Sequence, residues 1–401
     1  MASAGKPRRV LIIVENLPSP FDRRVWQEAT TLRAAGYEVS IICPVGIGYA
    51  TERFLVEDGI HIYRHRLPLE AEGALGYAVE YSAALFWEFA LAFKVLFTRG
   101  FDVIHACNPP DLIFLVGGFF KLFLGKKFVF DHHDINPELY EAKFGRRDIF
   151  YTLMVLCERL TFKTADVSIA TNESYRKIAI ERGGMNPERV FVVRSGPKLD
   201  RLKILPPAEM LKRGRKFLVG YVGVMGKQEG IDYLLQAASH IVHKVGRTDV
   251  HFGLVGGGTS LEEMKLYAQE LGVADYVTFT GRVLDQQLLE MLNTADVCVN
   301  PDSANEMNDK STMNKIMEYM ALAKPIVQFD LAEGRFTAQE ASLYATNNDA
   351  VDMAEKIVAL LDDPARRQEM GDFGRKRVIN ELEWKYEMPK LLAAYDKLFA
   401  K

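Results

Sequence analysis

The stretch FVFDHHDINPEL, Phe128 to Leu139, follows an apolar β-type run with two aspartates flanking two histidines. Those side chains offer three chemistries: ligation of a metal, charge stabilisation or acid–base work at a reacting centre, or polar capping of a strand end. Metal ligands must converge at about 2 Å on one ion, whereas adjacent strand residues point to opposite faces. The sequence offers no second histidine cluster and no DxD loop as a partner, so no metal is expected. An active-site loop or a polar strand end remains, with His132 and His133 as its adjacent candidate imidazoles. Asp131 or Asp134 would orient the ring as an outer carboxylate.

Two glycine loops offer a different chemistry. GYVGVMGKQEG (Gly220–Gly230) and LVGGGTSLEEMK, with Gly256, Gly257 and Gly258, each lie between a strand-like run and a helix-like one. Glycine there lets a ligand approach the backbone, and a helix N-terminus presents N–H groups to phosphate. The first loop reads GxxGxxG, not the dinucleotide fingerprint GxGxxG, which argues against a nicotinamide dehydrogenase. In VNPDSANEMNDKSTMNKIMEYMALAKPIVQF a polar loop leads into a helix expected from about Thr312. Asn314, Lys315 and Glu318 share one side of that helix. Lys315 and the helix dipole suit a diphosphate, and Glu318, one turn deeper, suits a ribose diol.

These residues need strands to carry them. RVLIIV, YEVSIICP, DVIHAC, KFVFDHH, DVSIAT and RVFVV are expected strands of a first half, and FLVGYVGV, VHFGLVG, YVTFTG, DVCVN, PIVQF and SLYAT of a second. Helical stretches fall between them, such as Arg23–Ala35 with Val25, Ala29 and Leu32 on one face. Such alternation implies an α/β protein of two doubly wound, Rossmann-like domains facing a central cleft. The expected division is 1–194, a Pro-, Gly- and charge-rich linker at 195–215, a second domain at 216–380, and a C-terminal helical segment at 381–401. In open parallel sheets ligands bind past the carboxyl ends of strands, which is where the loops above fall.

Composition fits this. The chain has 401 residues, 48% hydrophobic and 26% charged, as in soluble globular proteins. A formal charge of −3 gives no general attraction to nucleic acid. Cys43, Cys107, Cys157 and Cys298 lack CxxC spacing and read as reduced thiols of a cytoplasmic protein. MASAGKPRR leads into VLIIV without a signal-type apolar region and cleavage site, so export is not expected. Leu75–Phe97 is apolar and long, but Glu80, Glu88 and Lys94 make it a poor membrane span. With GGFFKLFLGKK (Gly117–Lys127) it reads either as helices packed in the domain or as a surface resting on a membrane.

SPFDRRVWQEATTLRAAGYEVSIICP, FDHHDINPEL, STMNKIMEYMALAKPIVQFD and LLDDPARRQEMGDFGRKRV together resemble the bacterial glycosyltransferases of family 4, retaining enzymes of GT-B architecture. The resemblance implies transfer of a sugar from a nucleotide-diphosphate sugar, of UDP or GDP type, to a lipid-linked or saccharide acceptor, with no other cofactor. It places the donor in the C-terminal domain and the acceptor in the N-terminal one, at the cytoplasmic face of the membrane. It makes Trp384 to Phe399 a helix returning to the first domain. Carried over by position, His133 would contact the transferred sugar, with Lys315 and Glu318 completing the catalytic set. Gly223, Gly226, Lys227, Gly257, Arg282, Lys310, Met313, Asn314, Lys315 and Glu318 would bind the donor. Phe21, Asp22, Arg23 and Arg24 would form an acceptor or phosphate loop, although Asp22 is equally placed to cap a helix. Three positions depart from the family. Val224 and Glu229 stand where it carries an arginine and a lysine for the diphosphate, and Lys310 where it carries the first of two glutamates. A nucleotide-sugar epimerase and a non-catalytic nucleotide-sugar-binding paralogue are the rival readings.

Overall fold

The computed structural model describes residues 7–46, 49–66 and 73–400, with side chains from residue 82 onward in the helix that opens at Gly73. Two compact units are present, the first holding residues up to Ser195 and from Glu387 on, the second Gly196–Tyr386. In the first, β1 (Arg9–Ile13), β2 (Glu38–Pro44), β3 (Phe54–Glu57), β4 (Ile60–His65), β5 (Val103–Cys107), β6 (Lys127–His132), β7 (Val167–Ala170) and β8 (Val190–Val192) form one sheet. Its order is β3-β4-β2-β1-β5-β6-β7-β8. All pairings are parallel except β3 with β4. Val10, Leu11, Ile12 and Ile13 are buried on both faces of β1, which is why central strands read as unbroken apolar runs.

The β3–β4 hairpin is absent from the sequence reading. It turns at Asp58–Gly59, where φ is 47° and 71°. An Asp-Gly pair of that handedness matches the twist of a tight hairpin, so the turn residues were the available signal. The helix Arg23–Ala34 presents Val25, Ala29 and Leu32 to the core as expected, all fully buried. The apolar segment Leu75–Phe97 lies in the helix Gly73–Thr98. Its side chains at 75–81, Glu80 included, lie outside the described residues. Ala84, Glu88, Ala92 and Val95 point into the core, while Phe97 is 82% exposed.

In the second unit β9 (Phe217–Val222), β10 (Val250–Val255), β11 (Val277–Phe279), β12 (Val297–Asn300), β13 (Ile326–Phe329) and β14 (Ser342–Ala345) are all parallel, in the order β11-β10-β9-β12-β13-β14. Alternate residues feed two cores: Val219, Phe252 and Val299 on one face, Leu218, Val255 and Cys298 on the other. Burying each large apolar side chain contributes about 1.5–3 kcal/mol. The chain reverses direction of travel between β1 and β5 in one sheet and between β9 and β12 in the other. Loops leaving those strands splay apart, and a ligand can reach the backbone there.

Candidate functional site

In the first unit the loops after β1, β5 and β6 meet around Asp131, the penultimate residue of β6. The Arg24 guanidinium grips that carboxylate from the first turn of its helix, at 2.8 Å and 3.1 Å. His133 Nε2 hydrogen-bonds the same carboxylate and lies 3.0 Å from Arg24 Nε. Asn108, just past β5, accepts from the His133 and Asp134 amides at 2.8 Å and 3.2 Å and fixes the loop. Behind Asp131 lie Glu28, 3.2 Å from Arg24, and His105, whose Nε2 is 3.5 Å from both carboxylates.

Burial pushes the Glu28 carboxyl well above its ordinary range, and Asp131 beside it adds to the effect. Burial works on Asp131 in the same sense, but Arg24, His133 and the hydrogen bonds from His105 and His133 hold it well below. His105 is lowered, chiefly by burial. The centre therefore carries a buried ion pair, Arg24–Asp131, beside a Glu28 carboxyl that burial pushes toward its protonated form. Two sets of donor atoms lie within 4.8 Å of one another, His105 with Cys107 and Asp131, and Glu28 with Asp131 and His133. Both depend on Asp131, whose oxygens Arg24 already holds, and burial raises the Cys107 thiol well above its usual range. These sets are poor metal ligands.

His132 points the other way, as strand alternation requires. Its ring is fully buried against Phe130, Phe162 and Tyr175, with Nε2 3.4 Å from Glu158. It therefore belongs to the core, in line with a Glu158–Arg182–Glu138 ion-pair chain. The Phe21–Arg24 group divides. Asp22 caps the helix by accepting from the Val25 amide at 3.1 Å, Arg24 joins the Asp131 centre, Phe21 packs on Tyr49, and Arg23 is exposed. Glu28, His105, Asn108 and Tyr395 are missing from the sequence reading. Tyr395, on the helix Trp384–Phe399, brings its hydroxyl 2.8 Å from His105 Nδ1. Tyr395→Phe should cost about 1–2 kcal/mol, because a buried imidazole nitrogen loses its partner. Urea unfolding followed by tryptophan fluorescence will read that loss.

In the second unit the glycine loops after β9 and β10 touch. Gly256 has φ +135°, and a Cβ there would lie 1.8 Å from the Gly223 carbonyl oxygen, so only glycine permits the approach. Gly257 lies beside the Arg282 backbone of the loop after β11. Lys315 reaches this junction from the helix Asn314–Ala321, its Nζ 3.5 Å from where a Gly223 Cβ would stand. The ammonium is held by Glu229 at 2.8 Å and Asp302 at 2.7 Å, and lies 5.1 Å from the Tyr221 ring centre. Tyr319 of the same helix donates to Val299 O and accepts from the Val222 amide, so the helix is pinned across β9 and β12.

That helix starts at Asn314, not Thr312. The polar loop expected before it contains a short helix, Glu306–Lys310, capped by Asn305. Lys310 pairs with Glu306 at 2.6 Å within that turn. Lys315 and Glu318 do not meet: Glu318 is gripped by Arg201, which also reaches Asp285 at 3.3 Å. Asn314 is exposed, Met313 is the N-cap residue without a side-chain cap bond, and Gly226 and Lys227 continue the first glycine loop.

Residues 22–196 match the family model described as a glycosyl transferase 4-like domain, and residues 216–363 the one described as glycosyl transferases group 1. The chain is 27% identical over 315 residues to the alpha-maltose-1-phosphate synthase of Mycolicibacterium smegmatis, across 71% of this chain and 77% of that protein. It is similar in structure to sucrose-phosphate synthase from Thermosynechococcus elongatus, with a TM-score of 0.79, 19% identity, and 98% and 99% of the two chains covered. Anabaena HepE in complex with UDP and glucose is similar too, with a TM-score of 0.73, 16% identity, and 97% and 99% covered. At those identities the two structures speak for the fold.

Proposed function

Because this chain belongs to the bacterial family-4-type glycosyltransferases of GT-B fold, we propose that it moves a sugar from a nucleoside-diphosphate donor to a hydroxyl of a lipid-linked or polysaccharide acceptor, with retention and without a metal. The observation that carries the donor reading is the Lys315 ammonium beside Gly223, where two glycine loops meet at the switch point of the second sheet. A buried cation at a place where ligand can reach the backbone suits a leaving diphosphate, whose growing charge it stabilises. Lys227 and Arg282, exposed on flanking loops, add positive charge. Glu318 takes the ribose hydroxyls in exchange for Arg201, and Gly226, Gly257, Met313 and Asn314 line the donor. UDP in the HepE complex supports a uridine donor, with guanosine as the other choice.

In the first unit His133, held by Asp131 and Arg24, steadies the transferred sugar. The acceptor hydroxyl attacks on the face the diphosphate leaves, and its proton passes to the departing phosphate oxygen. No protein nucleophile is required. Lys310 places a cation where the family has a glutamate for the sugar hydroxyls, which sets this donor sugar apart. No helix among the described residues is long and apolar enough to cross a membrane. A lipid-linked acceptor would instead be met at the cytoplasmic membrane surface through Phe97, Leu122 and Phe123, which are 82%, 78% and 67% exposed. Phe93 and Phe119 join Phe97 to Phe123 through ring contacts, so these form one face.

The test incubates the full chain with labelled UDP- and GDP-sugars and a bacterial lipid extract. Transfer with retained anomeric configuration, read by NMR and unaffected by EDTA, is expected. His133→Ala should slow it about 100-fold. An inverted product or loss of activity with EDTA overturns the corresponding part. Full turnover by His133→Ala removes that residue from the site, and nucleotide binding without turnover points to a non-catalytic paralogue.

A further inference from the structure

Lys315 is held more firmly than a phosphate-binding lysine needs to be. Its side chain is 10% exposed and contacts two carboxylates, Glu229 from the loop after β9 and Asp302 from the loop after β12. Asp302 is 1% exposed, and its second oxygen, Oδ2, is buried without a hydrogen-bond partner. Glu229 faces the same ammonium, and its negative charge raises the Asp302 carboxyl. Two acids around one cation leave excess negative charge at a place read above as the diphosphate cradle. A polyanion binds there only if some of that charge is removed.

The groups facing this cluster are Lys315 and Tyr319 on the helix Asn314–Ala321, Glu229 on its loop, and Tyr221 on β9. Burial works against the Lys315 ammonium, yet Asp302 and Glu229 hold its pKa well above the ordinary value. Both tyrosines are raised, chiefly by burial. Burial alone would raise Glu229, but Lys315 keeps it low. Asp302 differs: burial, with Glu229 beside it and Lys315 opposing, pushes it up to about 7. It is the group of this cluster that changes charge near neutrality.

We propose that Asp302 is a positioning residue for Lys315 that couples diphosphate binding to proton uptake. An anionic ligand drawn to the ammonium makes Asp302 take a proton from solvent. The neutral carboxyl no longer holds Lys315 by charge, so one ammonium N–H turns to a phosphate oxygen. This rests on the donor reading given above and adds a residue and a proton to it.

Calorimetric titration of the full chain with UDP and with GDP between pH 7.0 and 8.5 tests it. The dissociation constant should rise about tenfold across that range, the limit for one linked proton being about tenfold per pH unit. Buffers of different ionisation enthalpy should report uptake of a proton on binding. Asp302→Asn should bind with a flat pH profile. Glu229→Gln removes a charge that raises Asp302, so the weakening should begin at lower pH, and this variant decides the matter should Asp302→Asn fail to fold. A flat wild-type profile, a slope that persists in Asp302→Asn, or an unmoved onset in Glu229→Gln overturns the proposal. Absence of binding by either nucleotide at every pH overturns the donor reading beneath it.

Discussion

Asp131→Ala should destabilise the first unit by about 3–5 kcal/mol, the cost of leaving a buried ion without its partner. The ion is Arg24, whose side chain is 8% exposed and whose charge Asp131 balances at 2.8 Å. The carboxylate also receives His133 and lies 3.5 Å from His105, so its removal frees three groups at once. Asp131→Asn should cost less. The asparagine amide oxygen can still accept from the Arg24 guanidinium, which alanine cannot. Adding Arg24→Met to Asp131→Ala should recover part of the loss, since the stranded charge then disappears. Urea melts of wild type, Asp131→Ala, Arg24→Met and the double variant form a double-mutant cycle. An Asp131→Ala protein within 1 kcal/mol of wild type, on the order of a surface substitution, would show that Arg24 finds another counter-ion.

Acid should act through the same pair. The folded carboxylate lies below its ordinary range, so its contribution is present above the unfolded pKa and is lost as pH falls through the folded one. Glu28 runs in the opposite sense: its raised pKa means its bound proton favours the folded state, and that contribution fades as pH rises through the folded pKa.

The sheets were legible because a parallel strand buried on both faces is nearly all apolar, and RVLIIV, VHFGLV and PIVQF each carry a single polar residue, Arg9, His251 and Gln328. The β3–β4 hairpin escaped for the complementary reason. Along Phe54–Glu57 exposed and half-buried residues alternate, leaving no apolar run to notice. Alternation foretold that His132 and His133 diverge, but which one enters the core depends on Phe162 and Tyr175, which spacing along β6 does not reveal. The companions of Asp131 were hidden for a related reason. Glu28 looks like any acid on a helix, and His105 and Tyr395 are 290 residues apart in sequence. Val224 and Glu229 stand where the family carries an arginine and a lysine for the diphosphate. Geometry gives Glu229 a different part, since with Asp302 it holds the Lys315 ammonium near Gly223.

Replacing Lys315 with alanine should therefore reduce sugar transfer about 100- to 1,000-fold, the usual effect of removing one group that stabilises developing negative charge. The loss should fall on turnover more than on ground-state nucleotide affinity, because the diphosphate gains charge as the sugar departs. Stability offers an independent check with a defined sign. Without the ammonium, Glu229 and Asp302 face each other, and the Asp302 carboxyl, already pushed up to about 7 by burial, rises further. A carboxyl whose folded pKa is raised contributes stability below its unfolded pKa and loses it as pH rises through the folded value. The variant should thus melt near the wild type at pH 6 and fall increasingly behind it above pH 7. Calorimetric melts at pH 6 and pH 8 separate this from simple loss of packing, which would lower both equally. A Lys315→Ala protein with normal turnover would detach the helix Asn314–Ala321 from the diphosphate and leave Lys227, Arg282 and Lys310 as its candidate cations.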